Sequence, residues 1–257
     1  MAMSEARRRV ESALVPVKLP IAAWIGESMS RRGTDVTAST GRRSCLVLAP
    51  HPDDETLGCG ATVMRKLDAG SAVQVVVISD GATWPPWRPR EENIAVRDAE
   101  LRASCRVLGL PEEAVTHLAF PETQLDSAGD ALVDAVADAV RSHGPDEVFV
   151  TSEADPHSDH AALARATRRA LTGGGVRLLA YPVWQWERPR SWARTVAAAS
   201  AAETVSSAGY LERKRTAVEV FHSQMSEAAG GESTEGLRPA FLRHFLSGRE
   251  MFFPVPL

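Results

Sequence analysis

The chain has 257 residues, 44% hydrophobic and 24% charged, with 29 Lys and Arg against 33 Asp and Glu and a formal net charge of −4. That is the make-up of a globular domain with room for a sizeable core, and it lacks the basic stripe a general nucleic-acid binder needs to neutralise phosphates. Three cysteines, Cys45, Cys59 and Cys105, stand at wide spacing and give neither a disulfide framework nor a paired Cys-x-x-Cys knuckle, which points to a reducing cytoplasm.

At the N-terminus, Arg7 to Arg9 precede an apolar-looking stretch at 13–26. Pro16, Lys18 and Pro20 interrupt it, whereas a signal-peptide core is a continuous apolar run. No stretch approaches the ~20 apolar residues of a membrane span, so stable membrane insertion is not expected. Residues 28–43 are polar and read as a surface connection. Residues 1–43 are then an extension packed on, or leading into, one domain at 44–257, with the regular sheet beginning near Ser44.

From there short β-branched runs at 45–49, 72–79, 116–120, 147–151 and 176–181 alternate with helix-length stretches at 56–69, 91–109, 129–143 and 159–172. Several of the helical stretches are closed by a glycine, such as Gly70, Gly109, Gly144 or Gly173. This is the signature of an α/β fold: a Rossmann-like three-layer sandwich with a mainly parallel sheet, in a single domain. Beyond residue 181 the pattern weakens. Residues 197–208 are nearly all Ala, Ser, Thr and Val, 210–224 look helical, and 226–239 read as a Gly-, Ser- and Glu-rich loop.

Ligands of open α/β sheets bind beyond the carboxyl ends of the strands, so chemistry is expected just after residues 49, 79, 120, 151 and 181. Two clusters fall there: His51-Pro52-Asp53-Asp54-Glu55 after the first run and Asp155-Pro156-His157-Ser158-Asp159-His160 after the fourth. Two imidazoles and one carboxylate with an open position form a common catalytic zinc shell, and the Asp-Asp pair offers a ligand next to a proton acceptor. Taken singly, either cluster is equally well a helix N-cap. A non-haem iron triad uses the same ligand types but has no need of a second aspartate beside the ligand. Gly58-Cys59-Gly60 lies too far past the strand for a dinucleotide turn and lacks a third glycine.

Weaker signals surround the clusters. Arg97 opens a helix and reads either as a pocket-mouth residue or as a surface arginine paired with Glu100. Asp80, at another strand end, is a pocket-lining residue or part of a plain Asp-Gly turn. Trp84, Trp87, Trp184, Trp186 and Trp192 follow strands, where broad aromatic faces suit a sugar ring or an aromatic natural product, while Trp24 stands apart.

These residues resemble the PIG-L/LmbE-type N-deacetylases, whose hallmarks are Ala-His-Pro-Asp-Asp-Glu and, further on, His-Pro-Asp-His. Here Pro50 precedes the first motif and Ser158 replaces proline in the second. Arg97-x-x-Glu100-x-x-x-Ser104, Lys214 and His222-Ser223-Gln224 extend the likeness over 44–225. The resemblance implies that His51, Asp54 and His160 hold Zn²⁺ and that Asp53 is the general base for a zinc-activated water. It further implies that His157 stabilises the oxyanion or protonates the leaving amine, with Asp159 orienting His157. Arg97, together with Asp80, Trp84 and Trp184 at the pocket, would meet the substrate. The implied activity is hydrolysis of linear, non-peptide amides, removing N-acetyl from an N-acetylglucosaminyl-type small molecule, glycoside or natural product. The Ala- and Arg-rich composition and the tryptophan-bearing segments favour secondary metabolism. The same resemblance admits an amidase of thiol conjugates, and the fold admits a catalytically silent ligand-binding protein. It leaves room for a homo-oligomer.

Overall fold

The computed structural model describes residues 5–197, 201–225 and 236–257, with side chains from residue 19 onward. In chain order the elements are helix α1 (Glu5–Arg32), strand β1 (Thr34–Asp35), the turn of helix α2 (Thr37–Thr40), β2 (Cys45–Ala49), α3 (Asp54–Asp68), β3 (Val73–Ser79), α4 (Arg90–Leu108) and β4 (Val115–Phe120). They continue with α5 (Asp130–His143), β5 (Glu147–Thr151), α6 (Ser158–Leu171), β6 (Arg177–Tyr181), α7 (Pro189–Ala197), β7 (Glu203–Ser206), α8 (Leu211–Glu219), α9 (Pro239–Leu242) and β8 (Arg249–Val255).

The five expected strands form a contiguous block, from β6 to the edge strand β4, of one eight-stranded sheet ordered β1-β7-β8-β6-β5-β2-β3-β4. β2 pairs in parallel with both β3 and β5, and every residue of β2 and β5 is buried. That two-faced burial explains runs such as Cys45-Leu-Val-Leu-Ala, which are apolar throughout instead of alternating. Val47 and Ala49 face one apolar layer, which includes Leu57, Val63, Leu101 and Leu108 from α3 and α4. Leu46 and Leu48 face the other, with Leu132 and Val136 of α5 and Leu163 of α6. Helix ends follow local chemistry. Asp54 and Glu55 open α3 and Arg65 and Lys66 close it, matching the helix dipole, while α4 and α5 end in left-handed glycines, Gly109 at φ 93° and Gly144 at φ 51°.

Three features depart from the expectation. The sheet starts before residue 44, because β1 pairs in parallel with β7 and brings 34–35 out of the presumed connection. The N-terminal segment is a helix through Arg32 that lies against Trp186 and Trp192, so close that a Cβ on Gly26 would come within 2.3 Å of the Trp186 ring. Finally, β8 inserts antiparallel between β6 and β7, with Pro254 in its pairing register. Of the loop expected at 226–239, residues 226–235 lie outside the described residues, as do 198–200 of the weak stretch at 197–208.

Gly58 and Gly60 have a packing role. A Cβ on Gly58 would meet Tyr181 Cδ2 at 2.2 Å, and one on Gly60 would meet the Lys214 side chain at 3.3 Å. Gly58→Ala is therefore expected to destabilise the protein by about 1–3 kcal/mol through overpacking. A chemical denaturation midpoint unchanged from wild type would contradict this.

Strand order reverses between β2 and β5, so the chain leaves these neighbours in opposite directions and a crevice opens at their carboxyl ends. Both histidine-bearing clusters follow these two strands. At the opposite end the buried Lys66 Nζ donates to Thr40 O, Arg43 O and a Glu147 carboxylate oxygen at 2.6, 2.8 and 2.8 Å, tying the loop before β2 to β5.

Candidate metal centre and active-site cavity

His51 and Asp54 come from the β2–α3 turn, and His160 from the first turn of α6. His51 Nδ1, Asp54 Oδ2 and His160 Nε2 lie 3.2, 3.2 and 3.3 Å from one another. The far nitrogen of each imidazole faces a carboxylate: His51 Nε2 meets Asp159 Oδ2 at 3.2 Å and His160 Nδ1 faces Asp155 Oδ1 at 3.5 Å. With protons on those far nitrogens, two bare lone pairs and a carboxylate oxygen converge on one point. The edge of a tetrahedron with zinc–ligand bonds of about 2.0–2.1 Å is about 3.3–3.4 Å, so both spacing and donor types fit Zn²⁺. Electrostatics agree. Burial works to lower the His51 imidazole, but its hydrogen bonds to the Asp159 and Asp54 carboxylates outweigh it and push it up to about 9, the mark of a site short of positive charge.

Asp53 sits beside this triangle and outside it. Its backbone has φ 134°, a conformation that costs on the order of 1–3 kcal/mol for a non-glycine residue. Although it occupies the N-cap of α3, its side chain makes no capping bond; Oδ2 instead lies 3.4 Å from Arg97 Nη2. Burial raises the Asp53 carboxyl to about 8, moderated by the Arg97 guanidinium.

His157 lines the same cavity, its ring centroid 4.7 Å from that of His51 and 4.9 Å from that of His160. Its Nδ1 accepts the Asp159 N–H at 3.2 Å and so caps α6, which leaves the proton on Nε2. Burial and the neighbouring imidazoles lower it to about 4, so His157 is a neutral hydrogen-bond donor at neutral pH and not the imidazolium form. The turn that Ser158 leaves without proline is held by Asp155 Oδ1, which accepts the His157 N–H at 3.0 Å.

Several expectations change. The Asp159 carboxylate orients His51, not His157, and is itself fixed by the N–H groups of Thr123 and Leu125 at 2.7 and 3.2 Å. Arg97 belongs to the buried part of the cavity lining and is not paired with Glu100, whose carboxylate accepts from Ser223. Arg97 instead donates to Pro52 O and touches Asp53. Asp80 does not line the cavity: Oδ1 accepts from Ala82 N and Glu122 N at 3.1 Å each, and Oδ2 pairs with Arg90. Trp84 and Trp184 both line the cavity, Trp184 stacked on Phe241 at 4.5 Å. Trp186 and Trp192 are core, whereas Trp87 and Trp24 are 57% and 64% exposed. The three cysteines are buried and free.

Two site residues carried no assigned role in the sequence. Asp155 sits in the second cluster yet had no obvious task. Besides facing His160, its Oδ2 accepts from Val183 N and Gln185 N at 3.2 and 3.3 Å, tying the two strand-end loops together. Glu122 follows β4, where a strand end had marked the place. It is buried in the cavity wall, 3.8 Å from His51 Nε2, and accepts both the N–H and the hydroxyl of Thr83 at 2.6 Å. Burial opposes its charge, but His51, Arg97 and Thr83 hold its carboxyl below the usual range. The cavity measures about 540 Å³, the size of a small-molecule site, and its far wall includes Glu187, Arg188, Gln224 and Leu237.

Comparison with known proteins agrees with this geometry. Residues 46–171 match the family model described as PIG-L: GlcNAc-PI de-N-acetylase. An uncharacterized deacetylase of Escherichia coli strain K12, YaiS, is 27% identical over 137 residues, which cover 51% of this chain and 70% of the relative. The 2'-N-acetylparomamine deacetylase of Streptomyces fradiae is 30% identical over 159 residues, 54% of this chain and 56% of the relative. Among solved structures, the N,N'-diacetylchitobiose deacetylase of Pyrococcus horikoshii superposes with a TM-score of 0.65 at 18% identity, covering 100% of this chain and 94% of that one. At that identity the likeness speaks for the fold alone.

Proposed function

We propose, from the match of residues 46–171 to the PIG-L family model, that this chain is a zinc-dependent hydrolase removing an N-acetyl group from an amino sugar carried by a small molecule, glycoside or natural product. The observation that carries the reading is the triangle of His51, Asp54 and His160 donor atoms with Asp53 beside it and outside it. Relatives whose names specify an N-acetylated amino sugar support the substrate class.

His51, Asp54 and His160 hold the metal; bound there, Zn²⁺ supplies Lewis acidity toward water and the amide carbonyl. Asp53, a carboxyl held near neutrality, takes the proton of the attacking water and can return it to the departing nitrogen. The water oxygen bonds to the acyl carbon, the C–N bond breaks, and acetate and a free amine leave. His157 donates its Nε2–H to the oxygen on which negative charge develops. Asp159 and Asp155 fix the two imidazoles, and Trp84, Trp184 and Glu122 line the cavity that receives the sugar. Three buried, unpaired cysteines support a cytoplasmic setting. Among the described residues no helix is long and apolar enough to cross a membrane.

The test is acetate release from a panel of N-acetylglucosaminyl compounds, from the free sugar to aryl glycosides and aminoglycoside precursors. Turnover of at least one class is expected. A zinc-loaded protein inert across the panel would remove the amino-sugar reading and leave a larger amide or a binding role.

A further inference from the structure

Arg97 shares α4 with Glu100 and Ser104, and the chemistry above gives those two no task. Glu100 anchors the C-terminal part of the chain, accepting the N–H and hydroxyl of Ser223 at 2.8 and 2.6 Å. Ser104, two helical turns beyond Arg97, points at the metal helix instead. Its Oγ lies 2.9 Å from Thr56 Oγ1, which is 2.7 Å from Glu55 Oε1. Glu55 is 0% exposed, and its other oxygen, Oε2, accepts the Asp53 N–H at 3.0 Å.

An N-cap aspartate ordinarily spends its carboxylate on the first N–H groups of its helix. Asp53 does not, because φ 134° turns the side chain away toward Arg97 and the cavity. Such a backbone persists only where its surroundings over-determine it. Here the Pro52–Asp53 peptide is gripped on both sides: Arg97 donates to its carbonyl and Glu55 accepts its N–H. A first-turn acid serving only the helix dipole would have no reason to be buried and aimed backwards at the residue before the helix.

We propose that Glu55, braced by Thr56 and Ser104, is a positioning residue that holds Asp53 in its left-handed backbone and so aims the Asp53 carboxylate. The catalytic consequence rests on Asp53 being the base; the backbone consequence does not.

The test compares Glu55→Leu, which removes the acceptor, with Glu55→Gln, which keeps one, in the zinc-loaded full chain. Glu55→Leu is expected to lower kcat about 10²-fold, with KM and zinc content near wild type, because a small misplacement of a reacting group has that cost. Glu55→Gln should restore most of the rate. In an Asp53→Asn background Glu55→Leu should cost little more, since the two act as one unit. Crystal structures supply a readout independent of activity: Asp53 keeps its positive φ in wild type and relaxes to negative φ in Glu55→Leu. Unchanged kcat in Glu55→Leu, a full additional loss in the Asp53→Asn background, a glutamine variant as impaired as the leucine one, or an unmoved Asp53 backbone would each overturn the proposal. If Glu55→Leu does not fold, Thr56→Val removes only the bracing hydroxyl; it should lower kcat at constant zinc content, and an unchanged kcat there counts against the proposal. Should the wild type release no acetate at all, the deacetylase reading fails, while the φ comparison still decides the role of Glu55.

Discussion

Asp53→Asn should bind zinc as wild type does and lose about 10²–10⁴-fold in kcat, the usual worth of a positioned general base. The donor triangle of His51, Asp54 and His160 does not include Asp53, so the metal has no reason to leave. Asparagine has the same shape and can keep the contact with Arg97 through its carbonyl oxygen, but it cannot accept a proton from water. The wild-type carboxylate can: burial makes it a stronger proton acceptor than a free aspartate, while the Arg97 guanidinium beside it favours the ionised form. Steady-state kinetics alongside metal analysis checks this. Wild-type turnover in the variant would remove Asp53 as base, and loss of zinc would make it a ligand or a structural support of the ligands.

Glu250→Ala should cost about 3–5 kcal/mol of stability, the usual result of orphaning one member of a buried ion pair. Glu250 comes from β8 and inserts its carboxylate against the middle of α3, where it accepts the N–H groups of Ala61 and Thr62 at 2.7 and 2.8 Å and the Thr62 hydroxyl at 2.6 Å. Lys214 Nζ reaches the same carboxylate at 2.7 Å and donates to Leu57 O at 2.7 Å, and both side chains are almost entirely buried. Removing the carboxylate strands a buried ammonium and two backbone donors. For a protein of this size the loss corresponds to a fall of about 10 °C in Tm. Replacing both members, Lys214→Met with Glu250→Leu, should be milder than the single change, because no charge is left unpaired. A single variant within about 0.5 kcal/mol of wild type in chemical denaturation would show that the pair carries no stability.

The central sheet was legible because β2, β3, β5 and β6 are buried on both faces, which writes them as unbroken apolar runs. The strands beyond β6, namely β1, β7 and β8, were not. β7 reads Glu-Thr-Val-Ser, and β8 carries Arg249, Glu250 and Pro254, which speak against a strand until the pairing partners and the Lys214 contact are known. β1 is two residues long and has no period to read. The clusters at the site were legible from their position after β2 and β5, but the wiring between them was not. Whether Asp159 faces His51 or His157 depends on how the two loops close on each other, over a separation of 108 residues for the Asp159–His51 contact. Arg97 likewise could not be placed from helical spacing, since its partners lie in the β2–α3 turn. Asp80 stood at the expected strand end and still serves the loop, because three neighbours claim its oxygens.

The most direct measurement of the central claim is zinc content together with acetate release, on the purified protein, its chelated form and His160→Ala. About one zinc per chain is expected, with acetate release that chelation removes and added zinc restores, and neither zinc nor activity in His160→Ala. A protein that binds no metal, or acetate release that survives complete chelation, would contradict that claim.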